Sequence, residues 1–170
     1  MENWESTEGS SLPLGVTHLK AEGAYNFALY SRHATGVTLL LYSPQDYVNL
    51  AKKIKLDSLH NKSGRVWHCR VPEHELAGCK YYAYEVEGPF DPANGHRFDP
   101  QKVLLDPYAK AVFFPPAFSR EAARRPGSNA GKAPLGGINA EAPAFDWGGT
   151  AACITPRIRS YTRCTSKASP

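Results

Sequence analysis

No apolar run in this chain approaches the roughly 18 residues that a membrane-spanning helix needs, so a helical membrane protein is not expected. The opening MENWESTEGSSLPLG is acidic and polar. It has neither the basic n-region nor the apolar h-region of a secretory leader. Cysteine is scarce, with 4 in 170 residues, and without a leader the expected setting is reducing and cytoplasmic. Heptads and internal repeats are missing, which removes coiled coils and solenoids. Acids are missing from residues 149–170, which hold Arg157, Arg159, Arg163 and Lys167. The formal charge of +4 belongs to that tail, because the remaining 16 basic residues match the 16 acidic ones. The body carries no basic patch interleaved with aromatics, so a nucleic-acid partner is not expected.

What is present is short-period alternation. Residues 24–31 (AYNFALYS) place Tyr25, Phe27 and Leu29 on one face. Residues 36–43 (GVTLLLYS) do so with Val37, Leu39 and Leu41, residues 65–71 (RVWHCRV) with Trp67, Cys69 and Val71, and residues 79–87 (CKYYAYEVE) with Tyr82, Tyr84 and Val86. Period two with β-branched and aromatic residues predicts strands. Residues 49–56 are a weaker strand, polar at Lys52, Lys53 and Lys55, and suit a sheet edge. The link VPEHELAG is short enough to join neighbouring antiparallel strands. Short strands at regular spacing predict an all-β sandwich. At 170 residues the chain can bury one real core but not build two large domains.

Residues 88–110 read GPFDPANGHRFDPQKVLLDPYAK and pack four Gly-Pro or Asp-Pro steps around Val103-Leu104-Leu105. Proline fixes φ and gives up a donor, so these steps define an ordered, extended, Pro-rich wrap that needs a surface to lie on. The reading divides the chain into a disordered lead-in at 1–12, a sandwich at 13–111, an extended interface segment and linker at 112–148, and a disordered, irregular tail at 149–170. Within the third part, residues 119–137 read as loop by composition, and Phe145-Asp146-Trp147-Gly148 reads as a last anchor.

Several pieces together resemble one family, the isoamylase-type glycogen and starch debranching enzymes of the alpha-amylase superfamily. They are PLG at 13–15, YNFALYS at 25–31, VWH at 66–68, YYAYEVEGPFDPANGHRFDPQKVLLDPYAKA at 81–111 and FDWG at 145–148. The resemblance spans roughly residues 12–148. It implies the N-terminal domain of that family, an immunoglobulin-like sandwich of the carbohydrate-binding-module 48 type, which there precedes a (β/α)8 barrel that hydrolyses α-1,6-glucosidic branch links. It also implies that Leu104, Leu105, Val112, Phe113 and Phe114 run along the sandwich–barrel boundary. After Gly148 the pattern stops. Reading Ile158 to Pro170 from the third base of each back-translated codon gives TVIYEMHVKGFT, which is similar to the first barrel strand of such enzymes. The expectation is a frame change between Gly148 and Ile158, with Cys153, Cys164 and the basic surplus as by-products.

Glycosidic hydrolysis normally needs two carboxyls across the sugar, held on rigid elements. In TIM-barrel enzymes these come from strand ends. No catalytic residue is therefore expected here. Arg97-Phe98-Asp99 resembles the Arg-x-Asp around the family's nucleophile, but it lies in a proline-bounded loop and reads as a loop salt bridge or a turn cap. His68, Cys69, His74 and Cys79 could suggest zinc, yet His68 and Cys69 are adjacent on a strand and point to opposite faces. The reading is a core thiol, a surface imidazole, no metal and no cofactor. A Cys69–Cys79 bridge across the hairpin is conceivable but unsuited to a reducing compartment. Glycan contact is the remaining option, since sugars stack on exposed rings. Val86-Glu87-Gly88 resembles a turn in the glycogen-binding module of AMP-activated kinase. That alignment puts Phe90 near one platform ring of that module, Tyr47 near the other and Ala83 where it has a lysine. The partners so implied are a branched α-glucan, bound weakly, and a barrel domain on another chain.

Overall fold

The computed structural model describes residues 8–138, which fall within one structural unit, Met1–Ala140. Residues 1–7 and 139–170 lie outside this range. With them go the 145–148 anchor, Cys153, Cys164 and the basic tail.

The alternating segments all form strands: β2 (Ala24–Tyr30), β3 (Gly36–Tyr42), β6 (Val66–Pro72) and β7 (Tyr81–Glu87). Around them come β1 (Gly15–Leu19), β4 (Lys52–Lys55), β5 (Lys62–Ser63), β8 (Phe90–Asp91), β9 (His96–Arg97), β10 (Val112–Phe113) and β11 (Leu135–Gly137). One short helix, α1, spans Arg120–Arg124. Two sheets face each other, in the orders β1-β2-β6-β5 and β10-β11-β7-β3-β4, and β8 with β9 forms a separate hairpin. Pairing within them is antiparallel. The fold is the expected all-β, immunoglobulin-like sandwich, with β4 at a sheet edge as its lysines suggest.

The facing sides of the sheets supply the core. β2 contributes Phe27 and Leu29, β6 contributes Trp67, Cys69 and Val71, β3 contributes Val37, Leu39 and Leu41, and β7 contributes Tyr82, Tyr84 and Val86. These are the residues the two-residue period places together. Each fully buried large side chain is worth about 1.5–3 kcal/mol of transfer free energy. Phe27 meets Tyr82 edge-on at 5.3 Å, the geometry favoured by ring quadrupoles.

One pairing expectation fails. β6 and β7 are not neighbours: β6 pairs with β2 and β5, and β7 pairs with β3. The link between them turns through Glu73–Leu76, buries Leu76 in the core and carries the chain from one sheet to the other. With no hairpin there, a bridge across it has no basis, and Cys69 and Cys79 are free thiols. Burial pushes the Cys69 thiol up to about 12. The β2–β3 link crosses between sheets as well.

The second finding concerns the outer face of the β3–β7 sheet. Leu40, Tyr42 and Ala83 point away from the core, yet all three are buried, beneath Val103, Ala133 and Leu135. The proline-punctuated wrap lies on this face. Leu104 exchanges backbone hydrogen bonds with Tyr84, at 2.8 and 2.9 Å. The Asn129 side chain satisfies the preceding residue: its Oδ1 accepts from Val103 N–H at 2.7 Å and its Nδ2 donates to Val103 C=O at 3.0 Å. An amide side chain thus replaces a missing strand. Lys102 is buried too, donating to the carbonyls of Ala122 (2.7 Å) and Arg125 (2.5 Å) at the end of α1. Those carbonyls lack helical partners, and a cation there completes them. Residues 119–137 therefore differ from the loop their composition suggests. They hold a helix, a buried clamp and a strand, β11, that pairs with β7.

At the other sheet, Asn26 does similar work. Its Nδ2 donates to Ser10 C=O at 2.8 Å and its Oδ1 accepts from Ser10 N–H at 2.6 Å. His68 is buried rather than on the surface. Its Nδ1 donates to Glu8 C=O at 2.5 Å. A carbonyl only accepts, which fixes Nδ1 as the donor there, and Nε2 shares a hydrogen bond with Ser63 Oγ at 2.8 Å. His68 and Cys69 do point to opposite sides of β6, as the strand period requires.

Candidate functional site

Phe90 sits on the β8–β9 hairpin and is 73% exposed. The hairpin is stiff. Asp91 accepts from Asn94 Nδ2 at 2.6 Å, caps the turn Pro92–Asn94, and is followed by Gly95 at φ 83. The Asn94 side chain holds the Asp91 carboxyl below its ordinary range. At the base, Gly88 lies under the Phe98 ring, and a Cβ there would come within 2.5 Å of it. His96 faces His33 at 4.5 Å beside this hairpin.

Tyr47 lies in the loop after β3 and is half-buried. Its hydroxyl donates to Pro44 C=O at 2.8 Å. Its ring packs on Phe113 at 4.9 Å and Tyr81 at 6.0 Å, and Tyr81 in turn stacks on Phe113 at 4.4 Å. Asp46 shapes the loop by accepting from Val48 N, Asn49 N and Asn49 Nδ2, each at 2.9 Å. Those bonds hold its carboxyl below the ordinary range, the Asn49 backbone contributing most.

The structure does not bring Phe90 and Tyr47 together. Tyr47 contacts Tyr81, the first residue of β7, while Phe90 follows Glu87, its last. At about 3.3 Å per residue the strand separates the two ends by roughly 20 Å. The surface between them includes Leu40 and Ala83, both fully buried under the wrap.

The boundary residues present a different surface. Leu104 and Val112 are each 43% exposed, Phe114 is 57% exposed, and Leu105 and Phe113 are half-buried. Phe114 packs edge-on against Phe118 at 4.9 Å. Beside Leu104 and Leu105 lies an apolar groove of about 190 Å³ between the sheets, walled by Leu29, Tyr84 and Phe98.

Within the wrap sits a residue the sequence reading overlooked. Asp106 is buried, accepting from Tyr82 Oη at 2.8 Å and from Tyr108 N–H at 2.8 Å. Burial raises its carboxyl above the ordinary aspartate range. The Tyr82 phenol is raised as well, first by burial and then by the Asp106 charge. The Asp-Pro pattern marked a turn here; nothing in it signalled a buried carboxylate.

Asp99 behaves as a turn cap, its Oδ1 accepting from Gln101 N–H at 3.0 Å. Among the described residues, no group of three or more His, Cys, Asp or Glu is placed to hold a metal ion. No helix among them is long and apolar enough to cross a membrane.

Comparison with known proteins fits this geometry. Residues 13–109 match the family described as carbohydrate-binding module 48 (isoamylase N-terminal domain). The chain is 43% identical over 113 residues to the glycogen debranching enzyme of Serratia proteamaculans, covering 66% of this chain and 16% of that protein. It is 36% identical over 143 residues to the chloroplastic isoamylase SU1 of Zea mays, covering 83% of this chain and 17% of that one. It thus spans about a sixth of each relative's length. Among solved structures, the catalytic module of the glycogen-degrading pneumococcal virulence factor SpuA superposes with a TM-score of 0.52 at 20% identity, covering 79% of this chain and 17% of that chain. That likeness concerns the fold. Sandwich, motif order and matched span agree: the chain belongs to the carbohydrate-binding module 48 family, as an isoamylase-type N-terminal domain.

Proposed function

We propose that this sandwich serves a glycogen- or starch-debranching protein by contact and not by bond cleavage. In this reading it docks a (β/α)8 barrel domain through Leu104, Leu105, Val112, Phe113 and Phe114 and touches branched α-glucan weakly. The observation that supports the reading is the exposure of three large apolar side chains on and just after the wrap, Leu104, Val112 and Phe114. Exposed apolar side chains that a partner domain can cover suit an interaction face. Residues 13–111 form the functional sandwich in this scheme, residues 112–148 its interface and 149–170 a tail outside it. The setting is cytoplasmic and reducing, in keeping with the free thiols Cys69 and Cys79.

Co-expression with the barrel domain of a debranching relative tests the reading. Co-purification is expected, and Val112→Asp with Phe114→Asp should abolish it. A chain that stays a monodisperse monomer beside that barrel removes the docking role. Release of reducing ends from branched glucan by the pure chain removes the contact-only role.

A further inference from the structure

The β5–β6 hairpin carries a side-chain pair that neither the docking role nor the glucan contact uses. Ser63 lies on the edge strand β5, opposite Val66 across a two-residue turn, and is exposed. Two residues past Val66, on the same face of β6, stands His68, only 5% exposed. Ser63 Oγ and His68 Nε2 are 2.8 Å apart. The ring is fixed from its other side, where Nδ1 donates to Glu8 C=O at 2.5 Å. Its backbone is fixed as well, His68 N–H donating to Asn61 C=O at 2.8 Å. The Glu8 carboxylate is engaged elsewhere, with His60 at 3.1 Å. With a proton on Nδ1, the neutral ring keeps its lone pair on Nε2, facing the hydroxyl. The other bonded serine hydroxyls among the described residues serve the backbone of turns and caps. Ser10 Oγ donates to Leu12 C=O, and those of Ser43, Ser119 and Ser128 accept from backbone N–H groups.

A serine hydroxyl on an imidazole nitrogen, with the imidazole oriented by a third group, is the arrangement that turns serine into a nucleophile. Here the third group is the Glu8 carbonyl, a neutral acceptor that holds the ring in one orientation. We propose that Ser63 is an activated nucleophile that takes an acyl group from small, solvent-borne esters, with His68 as its general base. His68 Nε2 removes the hydroxyl proton as Ser63 Oγ bonds to the ester carbonyl carbon. The bond from that carbon to the leaving oxygen then breaks, and His68 returns the proton to the departing group. The products are an acyl ester on Ser63 and an alcohol, with His68 neutral again. The burial pattern divides the labour: the base is sheltered and immobile, and the nucleophile is open to solvent at a sheet edge. An open nucleophile suits small activated esters, because no shaped pocket has to admit them. Glycosidic bonds are untouched by this step, which stands independently of the docking and glucan roles above.

Treating the full chain with p-nitrophenyl acetate, and mapping acetyl groups over time by peptide mass spectrometry, tests the assignment. Ser58 is the internal control, because it too is exposed and no histidine nitrogen faces its hydroxyl among the described residues. Ser63 should acetylate about a hundredfold faster than Ser58, the low end of what a positioned base contributes. Its rate should rise with pH as an imidazole gives up its proton, then level off, and it should fall in D2O. The fast phase of p-nitrophenolate release should vanish in Ser63→Ala. His68→Gln should bring Ser63 down to the Ser58 rate; where that variant unfolds, the pH profile and solvent isotope effect of the parent decide instead. Equal acetylation of Ser63 and Ser58, or a Ser63 rate indifferent to imidazole ionisation, would overturn the proposal and leave the pair a structural hydrogen bond.

Discussion

The two faces of the β3–β7 sheet are buried by different means. The inner face is covered by another sheet, and apolar side chains at every second position suffice for it. The outer face is covered by irregular chain. There the apolar contacts of Val103, Ala133 and Leu135 come with dedicated polar devices: the Asn129 clamp and the Lys102 cap. A strand satisfies its backbone by pairing. The wrap pairs in this way at Leu104, and beside it Val103 borrows the Asn129 side chain for the same task. Stability on the inner side is therefore a matter of volume, and on the outer side of specific atoms.

Three changes sharpen this contrast, in descending order of effect. Phe27→Ala empties the inner core beside Tyr82 and should cost about 3–5 kcal/mol, read as a shift in the denaturant midpoint with the slope kept. A cost under 1 kcal/mol would mean that the inner face is not packed as described. Asn129→Ala leaves the buried Val103 N–H and C=O without partners and should cost about 1–3 kcal/mol. Its signature is regional: amide exchange should speed up at Val103 and Leu104 while Leu39 and Leu41 stay protected. Uniform loss of protection would show that wrap and core open as one. Asp106→Asn should have the smallest effect, on the order of 1 kcal/mol, and it acts on pH dependence. The folded carboxyl titrates above its unfolded value. The folded state then holds the extra proton between the two values, so this group's stabilising contribution is complete below the ordinary aspartate range and is lost as pH rises through the folded value. Urea midpoints from pH 3 to 7 should show that decline in the parent and lack this component in the variant. An unchanged profile would place the titration elsewhere.

The same contrast separates what the sequence discloses from what it hides. Phe27, Leu39, Trp67 and Tyr84 are legible because alternation maps directly onto a face. Leu135 is not, because a Leu-Gly-Gly segment carries no period and its strand exists through pairing with Tyr81 and Tyr82. Asn129 looks like any turn asparagine, and only the course of Val103 reveals what it holds. The link at residues 72–81 misled by its length, which suits a hairpin and an inter-sheet arch equally. Phe90 was legible as a candidate ring, and it is exposed. Its distance from Tyr47 depends on the register of β7, which no local motif encodes.

The chain changes layer three times by the start of β7, after Tyr30, after Lys55 and after Pro72. β2 and β6 run antiparallel with Tyr30 opposite Val66 and Ala24 opposite Pro72, so the first and last of these passages lie at opposite ends of the sandwich. The layers are laced from both ends. Neither can swing away like the cover of a book, and neither can slide along the other without straining a covalent stitch.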